Sequence, residues 1–329
     1  MRSPFTGKEM KKVCENRTWK FRSEQYEYIH TAWLCEDSGE LFTTDETDDI
    51  GYAQVTNQYR AKYGIPFTDE IIAVREKYGI SAAKMSLILG IGINQWRHYE
   101  SGEVPNVSNG RMIRSIMNPE TFLEYVHSSK QLLGEGEYRK LIEKVEAVAK
   151  DNHEHKWSEY AHSRIFTKER SKENGYGEQS LEHLKNILLY IIENCEEVFY
   201  TKMNKILFYV DFLAYSKRGM AITGLSYRAL DYGPVPERWD RIYSQYDEII
   251  QTPRLIGERE GTELKATVKA NRNLLTSFEL EILDKVCSRF ATTSSAEISR
   301  ISHEEDAWLL CNTTSVPIPF DYAFTLRGI

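Results

Sequence analysis

A chain of 329 residues with 41% apolar and 28% charged side chains has the composition of folded protein and the length for two or three domains. Its net charge of −7 argues against a protein that coats nucleic acid indiscriminately, but not against one locally basic face. Five widely spaced cysteines, no apolar core region between Arg2 and Lys12, and no run near the roughly 18 apolar residues of a membrane span predict a reduced, cytoplasmic protein with free thiols and no membrane partner.

The first 49 residues read as short strands and turns. Residues 18–22 and 26–30 alternate polar with aromatic or apolar side chains at period two. Two short segments ending in glycine flank them, Ser3-Pro4-Phe5-Thr6-Gly7 and Cys35-Glu36-Asp37-Ser38-Gly39. The acidic run 45–49 reads as a solvated loop or a helix start. Residues 54–63 have helical spacing, Gly64-Ile65-Pro66 breaks it, and a helix starts near Thr68 with Asp69 and Glu70 in its first turn.

From Arg75 to Pro105 the pattern is short helices joined by tight turns. Gly79 suits a left-handed C-cap and Ser81 an N-cap, while Met85, Ile88 and Leu89 make an i, i+3, i+4 apolar face. Gly90 and Gly92 bracket a second turn. In the helix that follows, Trp96 and Tyr99 share one face, and Asn94, Gln95, Arg97 and His98 occupy the other. Those four side chains can hydrogen-bond base edges or phosphates. Residues 71–130 carry seven basic and five acidic side chains, a balance of the sign that phosphate contact requires.

Ser108-Asn109 offers the next N-cap, for a helix with Met112, Ile113 and Ile116 on one face; Asn118-Pro119 ends it and a last helix runs from Glu120 to about Ser128. Leu141, Val145 and Val148 form the stripe of a more exposed helix. Residues 150–179 then turn polar, as a linker does, and His153, His155 and His162 read as solvated rather than metal-binding.

The carboxy-terminal half opens with a helix over 181–195. The next, from Thr201, is apolar nearly all round between Ile206 and Tyr215 except for Asp211, which predicts a central position. Residues 226–230 alternate before the turn Tyr232-Gly233-Pro234, a hairpin is expected around Glu260-Gly261, and helices follow at 277–290, 294–301 and 302–308.

Three resemblances rest on these residues. The order Arg75, Ser81, Met85-Ser86, Leu89-Gly90-Ile91, Tyr99-Glu100, Gly102 and Pro105 resembles the Xre/Cro-type helix-turn-helix, and more closely the DNA-binding half of MqsA-family antitoxins. In that family the positions of Ser3, Thr6, Cys35 and Ser38 are zinc-ribbon ligands; here three are hydroxyls, which are poor zinc ligands, so a metal-free relic of the ribbon is expected. Cys14 and His30 lack knuckle spacing as replacements. The third resemblance is to the SocA-like (Panacea) domain of antitoxins, carried by Lys205–Phe212, Gly224-x-x-Tyr227, Tyr232-Gly233-Pro234-Val235-Pro236 and Ser302-His303-Glu304-x-x-Ala307-Trp308.

The resulting expectation is an α+β, predominantly α chain: a degenerate ribbon at 1–66, a five-helix Xre-type bundle at 67–130, a helical and polar linker at 131–179, and a mostly helical SocA-like domain with a small β-hairpin at 180–329. The resemblances imply an antitoxin that neutralises a cognate protein toxin and represses its operon as a homodimer on operator DNA. Alternatives are an effector-responsive regulator and an adaptor delivering a client to a protease. Tyr227, Tyr232, Arg238 and Trp239, beside the Gly-Pro turn, are the expected toxin contacts, although burial explains each ring as readily. No catalytic residue, cofactor or metal is expected: Gly90-x-Gly92 is too short for a dinucleotide loop, and His303-Glu304-Glu305 lacks a second histidine one turn on.

Overall fold

The structure, a computed structural model, describes residues 1–152, 156–166, 168–256, 259–314 and 316–329; His153 and His155 lie outside them. It is predominantly α-helical with small antiparallel sheets. The chain divides into two compact units, one formed by Met1–Val55 with Ala161–Ile329, the other by Thr56–Tyr160. These bounds differ from the four expected segments, because the amino-terminal strands group with the carboxy-terminal half.

In the first unit β1 (Lys11–Phe21) and β2 (Glu24–Leu34) form a long antiparallel ladder, with β3 (Leu41–Phe42) on its edge. Both strands outrun the short alternating stretches read from sequence, since β1 is exposed along most of its length and carries little apolar periodicity. The acidic run opens α1 (Asp45–Tyr63), where three carboxylates complement the helix dipole. Gln54 clips this helix to the ladder, accepting from the Ile29 amide at 3.0 Å and donating to its carbonyl at 3.1 Å. Trp19 packs tilted against Tyr28 and edge-on to Tyr52 across the same junction.

The second unit contains α2 (Thr68–Tyr78), α3 (Ala82–Leu89), α4 (Gln95–Glu100), α5 (Val107–Ser115), α6 (Pro119–Ser128) and α7 (Glu135–Asn152). Gly79 and Gly90 are left-handed C-caps, and Ser81 accepts from the Lys84 amide as N-cap. The cap of α5 is Asn106, two residues before the expected pair. One apolar core gathers Ile71, Val74 and Tyr78 with Met85, Ile88, Trp96, Tyr99, Ile113, Phe122 and Val126. Leu141 and Val145 of α7 are buried in that core too, so the expected linker begins as part of this unit. Tyr78 stacks on Phe122 at 4.2 Å and donates its hydroxyl to the Ile116 carbonyl at 2.7 Å.

The rest of the first unit follows α8 (Lys156–Ile165). Helix α9 (Leu181–Asn194) leads to α10 (Tyr200–Arg218), which is buried without a break from Lys202 to Ser216 and forms the axis of the unit. The hairpin of β4 (Tyr227–Leu230) and β5 (Gly233–Pro236) follows, then α11 (Trp239–Ile242). A second hairpin pairs β6 (Ile249–Ile256) with β7 (Arg259–Ala266). Glu260 and Gly261, where the hairpin was expected to turn, lie within β7 instead, paired with Leu255 and Arg254 of β6. Helices α12 (Ser277–Phe290), α13 (Ser295–His303) and α14 (Asp306–Leu309) complete the unit.

Inside α10 the charges are handled one by one. Lys202 donates to the Glu196 and Ala291 carbonyls at 2.6 and 2.9 Å. Asp211 accepts from the Ile222 and Thr223 amides at 2.9 and 2.8 Å, from the Thr223 hydroxyl, and from Tyr227 at 2.6 Å. Four donors on one carboxylate weld the segment 222–227 to the axis helix.

Candidate functional site

The exposed face of α4 is set by what its other face buries. Ser86 of α3 accepts from the Trp96 amide at 3.0 Å, which fixes the turn between the helices. The Trp96 indole donates to Glu100 at 2.8 Å, and Arg75 donates to the same carboxylate oxygen at 2.5 Å. Tyr99 is buried and its hydroxyl accepts from Asn109 at 2.8 Å. With both rings locked inward, Asn94, Arg97 and His98 stand on the surface at i, i+3, i+4 spacing. Gln95 differs: it is half-buried and donates to Glu103 at 2.9 Å. Three of the four expected DNA-binding side chains are thus displayed together and the fourth is tied back.

The second surface lies at the β4–β5 hairpin. Tyr227, an expected contact, is fully buried against Phe208, Phe212 and Phe320 and bonded to Asp211. It is a structural residue, and burial together with the Asp211 acceptor pushes its hydroxyl pKa well up. The pairing alternates it with Arg228, which reaches outward to Glu237 at 2.5 Å. Tyr232 at the turn is 69% exposed. Its carbonyl accepts from Ser299, and the Leu230 carbonyl accepts from the Trp308 indole at 2.8 Å, so the turn is anchored to α13 and α14.

Arg238 is exposed, and it holds a left-handed backbone (φ 62°), a conformation that costs a non-glycine residue energy. Trp239 is half-buried, edge-on to Tyr200 at 5.5 Å, and Tyr200 stacks on Tyr243 at 5.0 Å. Arg238 and Trp239 border a cleft of about 410 Å³ whose walls also include Lys168, Arg228, Leu230, Pro236, Glu237 and Asp240. Lys168 and Leu230 gave no signal in the sequence; only the folded hairpin brings them beside Arg238.

Beneath the turn, Gly233 (φ 102°) lies where a side chain would strike Ser302 Oγ at 2.5 Å and Lys205 Cε at 2.9 Å. Three of the segments that carried the SocA-like resemblance meet here. Lys205 is fully buried with no hydrogen-bond partner among the described residues, and burial pulls its amine down to about 7.

The ribbon positions also converge. Gly7 and Gly39, both at positive φ, close two matching turns on the Ser3 and Cys35 carbonyls. Ser3 Oγ and Cys35 Sγ lie 3.2 Å apart. Hydrogen bonds from Ser3 and then Ser38 pull the Cys35 thiol down to about 7. One thiol among hydroxyls does not fit zinc, whose structural sites take four thiolate or imidazole ligands. Cys14 and His30 sit within the β1–β2 ladder, opposite Thr31 and Glu15. Among the described residues no helix is long and apolar enough to cross a membrane.

No curated protein and no solved structure matches the chain. A family model does match part of it: residues 203–309, which contain most of α10, both hairpins and α12 to α14, are similar to the antitoxin SocA-like, Panacea domain.

Proposed function

We propose that this protein is an antitoxin that neutralises a protein toxin through the β4–β5 corner of its SocA-like part and represses its own operon through α4. The observation that carries the reading is the antitoxin-family match over 203–309. It is supported by the display, within or beside that region, of Tyr232, Arg238 and Trp239, side chains of the types that dominate protein interfaces. For the DNA half, support comes from the helix pair α3–α4 with its buried Trp96 and its outward Asn94, Arg97 and His98. Two copies on a pseudo-palindromic operator, and hence a homodimer, belong to the same reading.

Co-expression of the full-length chain with the product of the gene beside its own tests the first half. Wild type should rescue growth and the Tyr232→Ala/Arg238→Ala/Trp239→Ala variant should not. Rescue undiminished in that variant removes the corner from the reading. Repression of a reporter driven by the chain's own promoter tests the second half: each of Asn94→Ala, Arg97→Ala and His98→Ala should cost about 1–3 kcal/mol of operator binding.

The cleft favours one further reading. Its walls set Lys168, Arg228 and Arg238 against Glu237 and Asp240 beside the Trp239 ring, a mixed-charge lining suited to a polar effector; a small molecule that releases the operator without any toxin present would support a regulator instead.

A further inference from the structure

Ile93 is the most exposed large apolar side chain among the described residues, at 82%. It stands immediately before Asn94, between the polar readers of α4 and the turn from α3. That turn is held at every step: the Ile91 amide donates to the Ser86 carbonyl, the Gln95 amide to the Gly92 carbonyl, and the Trp96 amide to Ser86 Oγ. Trp96, three residues on, is fully buried. The backbone that carries Ile93 is therefore fixed, and the side chain is presented rather than left loose. A β-branched aliphatic group so placed buries little of its surface in its own unit. Its neighbours Asn94, Arg97 and His98 supply amide, guanidinium and imidazole groups, complementary to an anionic backbone and to base edges. On the major-groove floor the one apolar group is the thymine methyl.

We propose that Ile93 reads a thymine methyl group. The inference rests on the operator-binding reading of α4 and assigns specificity to a residue outside its polar set. Because Ile93 is 82% exposed, Ile93→Ala should fold as wild type does.

The test uses duplexes enriched from a randomised pool by the full-length wild-type chain, with each thymine in turn replaced by uracil, which removes only the methyl. At one thymine or more per half-site, wild-type affinity should fall about fourfold, the worth of one buried methyl-sized group. Ile93→Ala should bind the parent duplex with a similar loss and show no further change on the uracil duplex. Uracil substitution without effect anywhere, or a loss that persists in Ile93→Ala, overturns the proposal. So does an Ile93→Ala loss equal on both duplexes and accompanied by loss of dimer in sedimentation, which would place Ile93 between copies of the chain. If no sequence is enriched at all, the operator-binding reading itself falls, and Ile93 with it.

Discussion

Helices α4 and α10 both stood out in the sequence, but their residues serve different ends. In α4 two rings are buried and the intervening side chains project, so the face that is not core is available for contact. In α10 every side chain from Lys202 to Ser216 is buried, including the segment Lys205–Phe212 that carried much of the family resemblance. A short helix with a split face offers side chains to solvent, whereas a helix buried all round specifies the fold and leaves contact to the elements around it. The signature that identifies the carboxy-terminal part therefore marks its scaffold. The candidate contacts lie at the edge of the hairpin that the scaffold holds.

The sharpest way to break this contrast is Asp211→Ala. It strands two backbone amides and two hydroxyls at a fully buried point, at about 1–3 kcal/mol per orphaned group. The sum rivals the whole stability of a typical domain. The first unit should be unfolded or nearly so in denaturant titrations, and toxin neutralisation lost, although Asp211 touches no partner. Neutralisation that survives would mean that α10 is not the scaffold described. In the other unit, Trp96→Ala should cost about 3–5 kcal/mol, lower that unit's melting transition and abolish operator binding. It should leave neutralisation in place, which growth assays with the toxin would show.

Much of the second unit was legible because its signals are local. Gly79, Ser81 and Gly90 each declare a helix end within four residues, and Trp96 and Tyr99 declare the inner face of α4 by spacing alone. The shift of the α5 cap to Asn106 is a small error of the same local kind. Gln95 could not be read, because its partner Glu103 lies beyond the helix. In the first unit the decisive contacts are distant in sequence. Tyr227 looked like a surface ring on an alternating strand until Asp211, on another element, claimed its hydroxyl. The meeting of Lys205, Gly233 and Ser302 joins segments about a hundred residues apart, and no periodicity announces it. The grouping of the ribbon with the carboxy-terminal half depends on contacts such as that of Gly219 with the Ile50 carbonyl and Ala53, equally silent in sequence.

A smaller effect probes a polar pair within the first unit. His183 and Glu279 face each other at 3.3 Å, with Arg218 and Glu178 each 3.9 Å from one of the two. Burial pushes Glu279 up, but the hydrogen bond and charge of His183 outweigh it and hold the carboxyl at about 2. Burial likewise pulls His183 down, and Glu279 reverses this to a net rise. The Glu279 contribution is present above its usual value of 4.5 and lost as pH falls toward 2; the His183 contribution is present below 6.5 and lost as pH rises through its raised value. Stability from the pair should therefore be greatest between pH 4.5 and 6.5. Glu279→Gln should cost on the order of 3 kcal/mol there. His183→Gln should flatten the alkaline side of the melting-temperature profile.

The smallest expected effect separates the ribbon from both helices. EDTA should leave the melting temperature of the full chain unmoved, since a metal held only by the folded state would have raised it in proportion to its binding. One zinc per chain in protein purified without added metal would overturn this, and Cys14, Cys35 and His30 would then be the first residues to test as its ligands. The converse experiment is more telling. The two glycine turns bring Ser3 within 3.2 Å of Cys35, and Thr6 and Ser38 belong to the same two turns, so the four positions that resemble ribbon ligands sit on a pair of adjacent turns. Zinc discriminates through thiolate donors and tetrahedral placement; cysteine substitution supplies the first and tests the second. The triple substitution Ser3→Cys, Thr6→Cys and Ser38→Cys should take up one zinc per chain and melt at a higher temperature in its presence. If it binds none, the turns have lost the geometry as well as the sulfur, and the ribbon's order comes from the aromatic packing of Trp19, Tyr28 and Tyr52 alone.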